Sequence, residues 1–136
     1  RAAVEGVPGL EAGALEVERG GATFTADTLE ALHEQYPGAL LHTIVGDDAA
    51  AGFETWQRYE RVAELSTLVV VDRPGFVADL PERFSWVHVE VPRLEVSSTD
   101  LRARVTDGRP LDYLVTDSVR AAIAERGLYR SEAVAE

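Results

Sequence analysis

Three short apolar runs, set among segments with helical periodicity, constrain the fold of this chain more than any other feature. The runs are LLHTIVG at 40–46, TLVVVDRPG at 67–75 and WVHVEV at 86–91. The first two are nearly continuous in apolar residues, which is typical of parallel strands that are buried on both faces. Because strands alternate with helices along the chain, we predict an α/β fold with a mainly parallel sheet flanked by helices.

Helices are predicted where apolar residues recur three or four positions apart. The predicted helices begin at Thr25, at Thr55, after Ser97 and at Thr116 or Asp117, and the last one stops at Gly127 in the left-handed conformation. Thr25 is expected to cap the first of these helices with its side-chain oxygen.

The segment ALEVE at 14–18 alternates apolar and charged residues, which predicts a half-exposed strand. We find no repeat, low-complexity tract or linker, so we expect one domain over residues 1–130 and a frayed tail over 131–136. The chain contains no methionine and opens on RAAVEGVPGL, which reads as the end of a helix. We therefore expect the domain to be incomplete at its amino terminus.

The charge of the chain limits its partners. The formal net charge of −11 argues against general binding to nucleic acid or anionic membranes, which requires a positive field. A small phosphate ligand needs only a local positive site. No apolar run reaches membrane-spanning length, and the chain has no cysteine for a disulfide or a thiolate metal site, so we expect a cytoplasmic protein.

Small, hydroxylated and charged residues follow the ends of the predicted strands. They are Thr25, Gly46, Asp48, Asp72, Arg73, Ser97, Ser98, Thr99 and Arg102. In open α/β sheets, ligands bind beyond the carboxyl ends of the strands. The sequence therefore predicts a binding site at this edge of the sheet.

The segment EVSSTDLRAR at 95–104 has two interpretations. It can be a helix cap, in which Ser97 or Ser98 accepts hydrogen bonds from the first turn and Arg102 is solvated. It can also be a phosphate site, because a helix amino terminus offers free N–H groups and Arg102 can reach back with a permanently charged fork. The residues alone leave both interpretations open.

Trp56 and Asp48 are also ambiguous. Trp56 lies at a loop-to-helix junction and is either a core residue or an exposed surface on which a planar ring stacks. Asp48 is either a helix-start residue or an acceptor for a ribose hydroxyl. The three histidines, His33, His42 and His88, have no metal-like spacing and are read as structural or surface residues.

Motifs along the chain resemble those of a known family. VSSTDLR resembles the Ile/Val-Ser-Ser-Thr-x-x-Arg motif of nucleotidyltransferases. The blocks GGATFTADTLEAL, IVGDDAAAGFETWQRYERV, VVVDRPG and DYLVTDSVRAAIAERGLY resemble, in order, those of bacterial nicotinate mononucleotide adenylyltransferases. The resemblance extends from about Ala14 to Tyr129 and implies a Rossmann-like nucleotidyltransferase fold.

The resemblance also implies a reaction and its residues. ATP and nicotinate mononucleotide would give nicotinate adenine dinucleotide and pyrophosphate, with Mg²⁺ arriving on ATP and not held by a protein-only site. Matching positions assign Ser97, Ser98, Thr99 and Arg102 to ATP, Gly46 and Asp48 to the dinucleotide ribose and backbone, and Thr25, Trp56 and Arg73 to nicotinate. The family usually has tyrosine where this chain has Phe24, and it often has an aromatic residue where this chain has Gln57.

One motif of the family is absent. Its Gly-x-Phe-x-Pro-x-His-x-Gly-His loop, which supplies the catalytic histidines, does not occur in these 136 residues. We therefore assign no catalytic residue, regard the chain as the carboxyl-terminal portion of such an enzyme and expect it to be inactive alone.

Other functions remain open from the sequence. The chain could belong to a related adenylyltransferase that acts on nicotinamide mononucleotide or pantetheine phosphate, or it could be a non-catalytic remnant that binds a nucleotide. The expected partners are ATP and nicotinate mononucleotide, with neither nucleic acid nor membrane, and a homo-oligomer is left open.

Overall fold

The computed structural model describes residues 1–72, 79–92 and 95–129, and for Asp72 only the backbone. The chain forms two compact units. The sheet unit comprises Ala14–Arg93, and the helical unit comprises Arg1–Gly13 together with the residues from Leu94 onward. The single domain expected over residues 1–130 stays a prediction.

A three-stranded parallel sheet organises the sheet unit. The strands are β1 (His42–Gly46), β2 (Thr67–Asp72) and β3 (Trp86–Glu90), in the order β1-β2-β3. In register, Gly46 pairs with Val71, and Leu68 pairs with Trp86. The predicted α/β class with a parallel sheet is confirmed, and each described strand lies within the apolar run that predicted it.

In the described part of the sheet unit, four α-helices and one 3₁₀ turn precede and separate the strands along the chain. They are α1 (Leu15–Arg19), α2 (Thr25–Gln35), α3 (Asp47–Ala51), the 3₁₀ turn Phe53–Thr55 and α4 (Tyr59–Leu65). The strand predicted at 14–18 was wrong, because this segment forms α1. Side-chain contacts to α2 hold it: Thr28 Oγ1 donates to Glu16 Oε1 at 2.7 Å, and Arg19 Nη2 donates to the Asp27 carbonyl at 3.3 Å. Five residues are too few for alternation to outweigh the helix propensity of Leu, Glu and Arg.

Two predicted helix starts also need correction. Phe24, with extended backbone, takes the cap position before α2, so Thr25 is the first helical residue and makes no capping bond. The helix predicted from Thr55 begins at Tyr59 instead, because Trp56 has extended backbone and Arg58 adopts a left-handed conformation with φ 56° and ψ 37°. Left-handed backbone interrupts an α-helix.

The core of the sheet unit is aromatic and aliphatic. The buried cluster contains Ala26, Leu29, Phe53, Val62 and Leu68. Phe53 is only 1% exposed, and its ring lies within 6.0 Å, between centroids, of four other rings, those of Trp56, Tyr59, Phe84 and Trp86. Aromatic side chains buried in this way dominate core energetics.

The helical unit contains the 3₁₀ turn Ala2–Val4, α5 (Ser98–Thr106) and α6 (Asp117–Glu125). Thr116 caps α6 through a hydrogen bond from the Val119 N–H. Gly127, at φ 60°, ends it as predicted, since the Leu128 N–H returns to the Ile123 carbonyl at 3.1 Å. Among the described residues, no helix is long and apolar enough to cross a membrane.

Candidate functional site

Gly46 and Asp48 lie where β1 ends and α3 begins. Gly46 is extended, and a Cβ added there would meet no atom within 4 Å, so the backbone borders open space. Asp48 is exposed, whereas the preceding Asp47 is only 4% exposed and accepts a hydrogen bond from the Asp48 N–H at 3.0 Å. This edge therefore presents an open backbone and an exposed carboxylate.

Trp56 has the core role that the sequence left open as one of two. It is partly buried and packs against the core cluster, with its ring 5.5 Å from the Phe53 ring at an interplanar angle of 58°. Stacking of this ring on a ligand stays a prediction.

Thr25 begins α2 beside the same core. It is half-buried, and the next residue, Ala26, is fully buried in the cluster against which Trp56 packs. The shared cluster thus fixes both segments in the sheet unit. Arg73, the third residue assigned to nicotinate, lies outside the described residues.

The Trp56 segment is held by two arginines that the sequence did not single out. Arg58 donates to Asp27 Oδ1 and Glu30 Oε1, each at 2.6 Å. Arg83 donates to Glu54 Oε1 and to the Tyr59 hydroxyl, each at 2.5 Å. No spacing rule could have found these contacts, since the partners lie 24 to 31 residues apart.

Ser97 and its neighbours open α5 in the helical unit. The Asp100 N–H donates to Ser97 Oγ at 3.1 Å, so the capping interpretation is confirmed for Ser97. Its hydroxyl proton remains available to a phosphate oxygen. Ser98 is exposed, and Arg102 is exposed with only a long 3.5 Å contact from its Nη2 to Thr99 Oγ1.

Other charges on α5 are already paired. Arg104 Nε donates to Asp100 Oδ2 at 2.7 Å, and Arg109 lies 3.6 Å from the other oxygen. The hydrogen bond from Arg104 lowers the pKa of Asp100 from its ordinary value. Arg102 is therefore the α5 arginine whose guanidinium is left to meet a ligand among the residues that the structure describes.

A cavity of about 170 Å³ adjoins these residues within the helical unit. Its lining includes the apolar residues Leu101, Val105, Val119 and Ile123 and the polar residues Ser98 and Arg102.

One of the three histidines makes a structural contact, as the sequence predicts. His33 Nε2 forms a hydrogen bond with the Leu65 carbonyl at 2.9 Å and so joins α2 to α4.

Comparison with known proteins decides the family. Residues 7–104 match the model of the cytidylyltransferase-like family. The match covers Thr25, Gly46, Asp48, Trp56 and the Ser97–Arg102 segment. This chain belongs to the cytidylyltransferase-like family. The family resemblance drawn from the motifs is thereby confirmed.

Curated members of the family are similar to this chain. One, named "Probable nicotinate-nucleotide adenylyltransferase", from Corynebacterium glutamicum, is 45% identical over an alignment of 125 residues. The match covers 87% of this chain and 56% of that protein. A protein of the same name from Desulfitobacterium hafniense is 41% identical over 131 residues, 89% of this chain and 63% of that one. The chain therefore spans less than two thirds of the length of these relatives.

Solved structures agree on the fold. Plasmodium falciparum nicotinic acid mononucleotide adenylyltransferase complexed with NaAD has a TM-score of 0.61 at 19% identity, covering 79% of this chain and 58% of that one. The same enzyme complexed with APC has a TM-score of 0.61, covering 80% of this chain and 59% of that one. The nucleotidyltransferase fold expected from the motifs is confirmed.

Proposed function

We propose that this family member takes part in transferring the adenylyl group of ATP to nicotinate mononucleotide, a step of NAD biosynthesis. The observation that carries the proposal is sequence identity above 40% to nicotinate-nucleotide adenylyltransferases over 87% and 89% of the chain. Within the sheet unit, an open strand end and a partly buried indole support it. Within the helical unit, an exposed arginine one turn into a capped helix supports it.

The reaction needs positioning and charge neutralisation more than a protein nucleophile. A phosphate oxygen of nicotinate mononucleotide forms a bond to the α-phosphorus of ATP, and the bond from that phosphorus to the bridging oxygen breaks to release pyrophosphate. Arg102 and the first turn of α5 supply positive potential for phosphate oxygens. Ser97, Ser98 and Thr99 add hydroxyl donors at the same helix end.

The nicotinate end of the substrate is assigned to the sheet unit. Trp56 offers the accessible part of its ring to the pyridine, and Thr25 offers a hydroxyl to the carboxylate. Arg73 is assigned to the same end on its motif position. Asp48 accepts a ribose hydroxyl, and Gly46 lets the dinucleotide approach the backbone.

Magnesium fits the proposal as a companion of ATP. No three His, Asp or Glu side chains converge within the part of the chain that the structure describes. Mg²⁺ usually keeps several waters and binds through phosphates with one or two carboxylates, so a protein cage is not required. When bound, the ion neutralises charge that develops on the phosphates.

The partners of this proposal are small nucleotides. A net charge of −11 supports them over nucleic acid. A cytoplasmic location, where ATP is available, belongs to the same proposal.

The test is steady-state turnover by the full-length protein with ATP and Mg²⁺, following pyrophosphate release. We expect nicotinate mononucleotide to be used at a higher kcat/KM than its nicotinamide analogue, because a hydroxyl and an arginine recognise a carboxylate better than a neutral amide. Equal or reversed preference would remove the specificity, and failure with both would remove the function. Pantetheine phosphate is the third acceptor to assay.

A further inference from the structure

Arg58 has a backbone conformation that its side chain does not favour. Its φ of 56° and ψ of 37° place it in the left-handed region. It is the last residue of the segment 56–58, here called the Trp56 loop, and it directly precedes the first residue of α4. Side chains with a Cβ rarely adopt this region, and such residues persist only where surrounding contacts hold them. The contacts that hold Arg58 are therefore informative about the loop.

The guanidinium of Arg58 joins two carboxylates on one helix. Nη1 donates to Asp27 Oδ1 and Nη2 donates to Glu30 Oε1, both at 2.6 Å, and both acceptors belong to α2. The planar fork of arginine is preorganised for such a two-point contact, which a lysine cannot reproduce. The left-handed turn brings the side chain to this position.

Each end of the contact lies two residues from a side chain assigned to nicotinate. Asp27 follows Thr25 in the first turn of α2, and Arg58 follows Trp56 in the loop. The contact thus connects the two segments that carry these side chains, on the solvent side of the core that Ala26 and Phe53 share. Arg83 holds the other side of the loop through Glu54 and Tyr59.

We propose that Arg58 is a positioning residue for the nicotinate nucleotide: it fixes the Trp56 loop against the first turn of α2, so that Thr25 and Trp56 meet one ligand. The inference rests on the proposed function. Arg58 itself needs no contact with the substrate, and its contribution is the geometry of the two side chains that have one.

Arg61 provides a matched control. It donates through Nε to the same Glu30 oxygen at 2.9 Å, but it lies inside the regular helix α4 and not in the loop. If the contact with Glu30 serves only to join α2 to α4, replacing Arg58 and replacing Arg61 should have the same effect on substrate binding. If the contact positions the Trp56 loop, replacing Arg58 should have the larger effect.

The kinetic test uses the full-length protein with Arg58→Gln, Arg58→Gly, Arg58→Lys and Arg61→Gln. We expect Arg58→Gln to raise the KM for nicotinate mononucleotide on the order of tenfold or more, while the KM for ATP stays within about twofold. Arg58→Gly keeps the left-handed turn accessible but loses the fork, so it should resemble Arg58→Gln. Arg58→Lys should rescue in part, and Arg61→Gln should match the wild type.

A second measurement separates this inference from the proposed function. The 136 residues contain two tryptophans, so a Trp86→Phe background leaves Trp56 as the single one among them, and any tryptophan elsewhere in the full-length protein is also replaced by phenylalanine. Acrylamide should then quench Trp56 more strongly after Arg58→Gln but not after Arg61→Gln. If the wild type fails with nicotinate mononucleotide, the proposed function is lost, and the quenching alone decides on positioning. Equal effects of the two arginines, or none from Arg58, would overturn the inference.

Discussion

The two units hold their candidate residues in different ways. In the sheet unit, Trp56 packs on the core and Thr25 adjoins a fully buried residue, while Arg58 joins their segments. In the helical unit, Ser98 and Arg102 are exposed on one turn of α5, which Ser97 caps. One group is packed on a core, and the other is exposed on a helix.

This difference fits the two parts of the proposed ligand. A flat pyridine ring with one carboxylate is recognised by shape, so the groups that meet it must be held in place. Phosphates are recognised by charge, which a long and permanently ionised side chain can bring to them. The comparison predicts that changes in the sheet unit act through structure, whereas changes in α5 act through affinity.

The largest effect is expected at Phe53. Phe53→Ala removes the centre of the aromatic cluster and should lower the free energy of unfolding by about 3–5 kcal/mol. Both tryptophans, Trp56 and Trp86, pack against this core, so denaturant unfolding followed by fluorescence reports on it directly.

Tyr113→Ala is the matched aromatic change in the helical unit. Tyr113 is fully exposed, so its replacement should change the free energy of unfolding by no more than about 0.5 kcal/mol. Tyr113 has left-handed backbone, and because tyrosine and alanine both carry a Cβ, the backbone strain is the same before and after the replacement. Comparable losses in the two variants would contradict the packing difference between the units.

How far the sequence could predict this arrangement depends on the range of the interactions. The strands are strong local signals, since an apolar run such as TLVVV at 67–71 has few alternatives to a buried strand. The cap at Ser97 and the stop at Gly127 are likewise set by neighbouring residues. The three strands and the stop at Gly127 were predicted correctly, and the cap is Ser97, one of the two serines that the sequence left open.

The errors and omissions arise from contacts between distant residues. The segment at 14–18 is a helix, held partly by side chains of α2 that no local pattern reveals. The interruption at Arg58 depends on two carboxylates 28 and 31 residues away. The sequence suggests candidate ligand residues through their motifs, but it gives no sign of the distant residues that hold those segments in place.

Arg102→Ala should show the next largest effect, on ATP affinity. A charge-assisted hydrogen bond contributes roughly 1.5–3 kcal/mol, so the dissociation constant should rise about 10- to 150-fold. The free energy of unfolding should change by less than about 0.5 kcal/mol, because the side chain is exposed. Calorimetric titration with a non-hydrolysable ATP analogue measures the first quantity.

Arg126→Ala controls for the loss of one positive charge. Arg126 is exposed at the end of α6 and should leave ATP affinity unchanged. An Arg102 variant that binds ATP as tightly as the wild type would leave α5 with a capping role alone.

Ser97 and Ser98 should separate capping from binding on a smaller scale. Ser97→Ala removes the cap and should cost about 0.5–2 kcal/mol of stability, whereas Ser97→Gly should cost only a few tenths. Ser98→Ala should leave stability within about 0.5 kcal/mol but weaken ATP binding by about 0.5–1.5 kcal/mol. Thermal unfolding with and without the ATP analogue measures both, and identical profiles for the two alanine variants would show that no such division exists.

The smallest expected effect is the pH dependence of one carboxylate in each unit. Hydrogen bonds from Arg61 and then from Arg58 lower the pKa of Glu30, and the hydrogen bond from Arg104 lowers that of Asp100. Because both pKa values are lower in the folded state, each carboxylate stabilises the fold at neutral pH. The contribution is lost as the pH falls from the unfolded value, 4.5 for Glu30 and 3.8 for Asp100, through the lowered folded value.

The stability contribution of Glu30 should therefore begin to fall at a higher pH than that of Asp100, because its unfolded pKa is higher. Carboxyl NMR titration of the wild type measures both pKa values, with Glu30→Gln and Asp100→Asn to assign them. Since these side chains are partly exposed, at 34% for Glu30 and 42% for Asp100, salt at about 1 M should move both values back toward normal. A Glu30 shift that persists at high salt would mean that the Arg58 contact is shielded from solvent, and would make the two units more different than their exposure indicates.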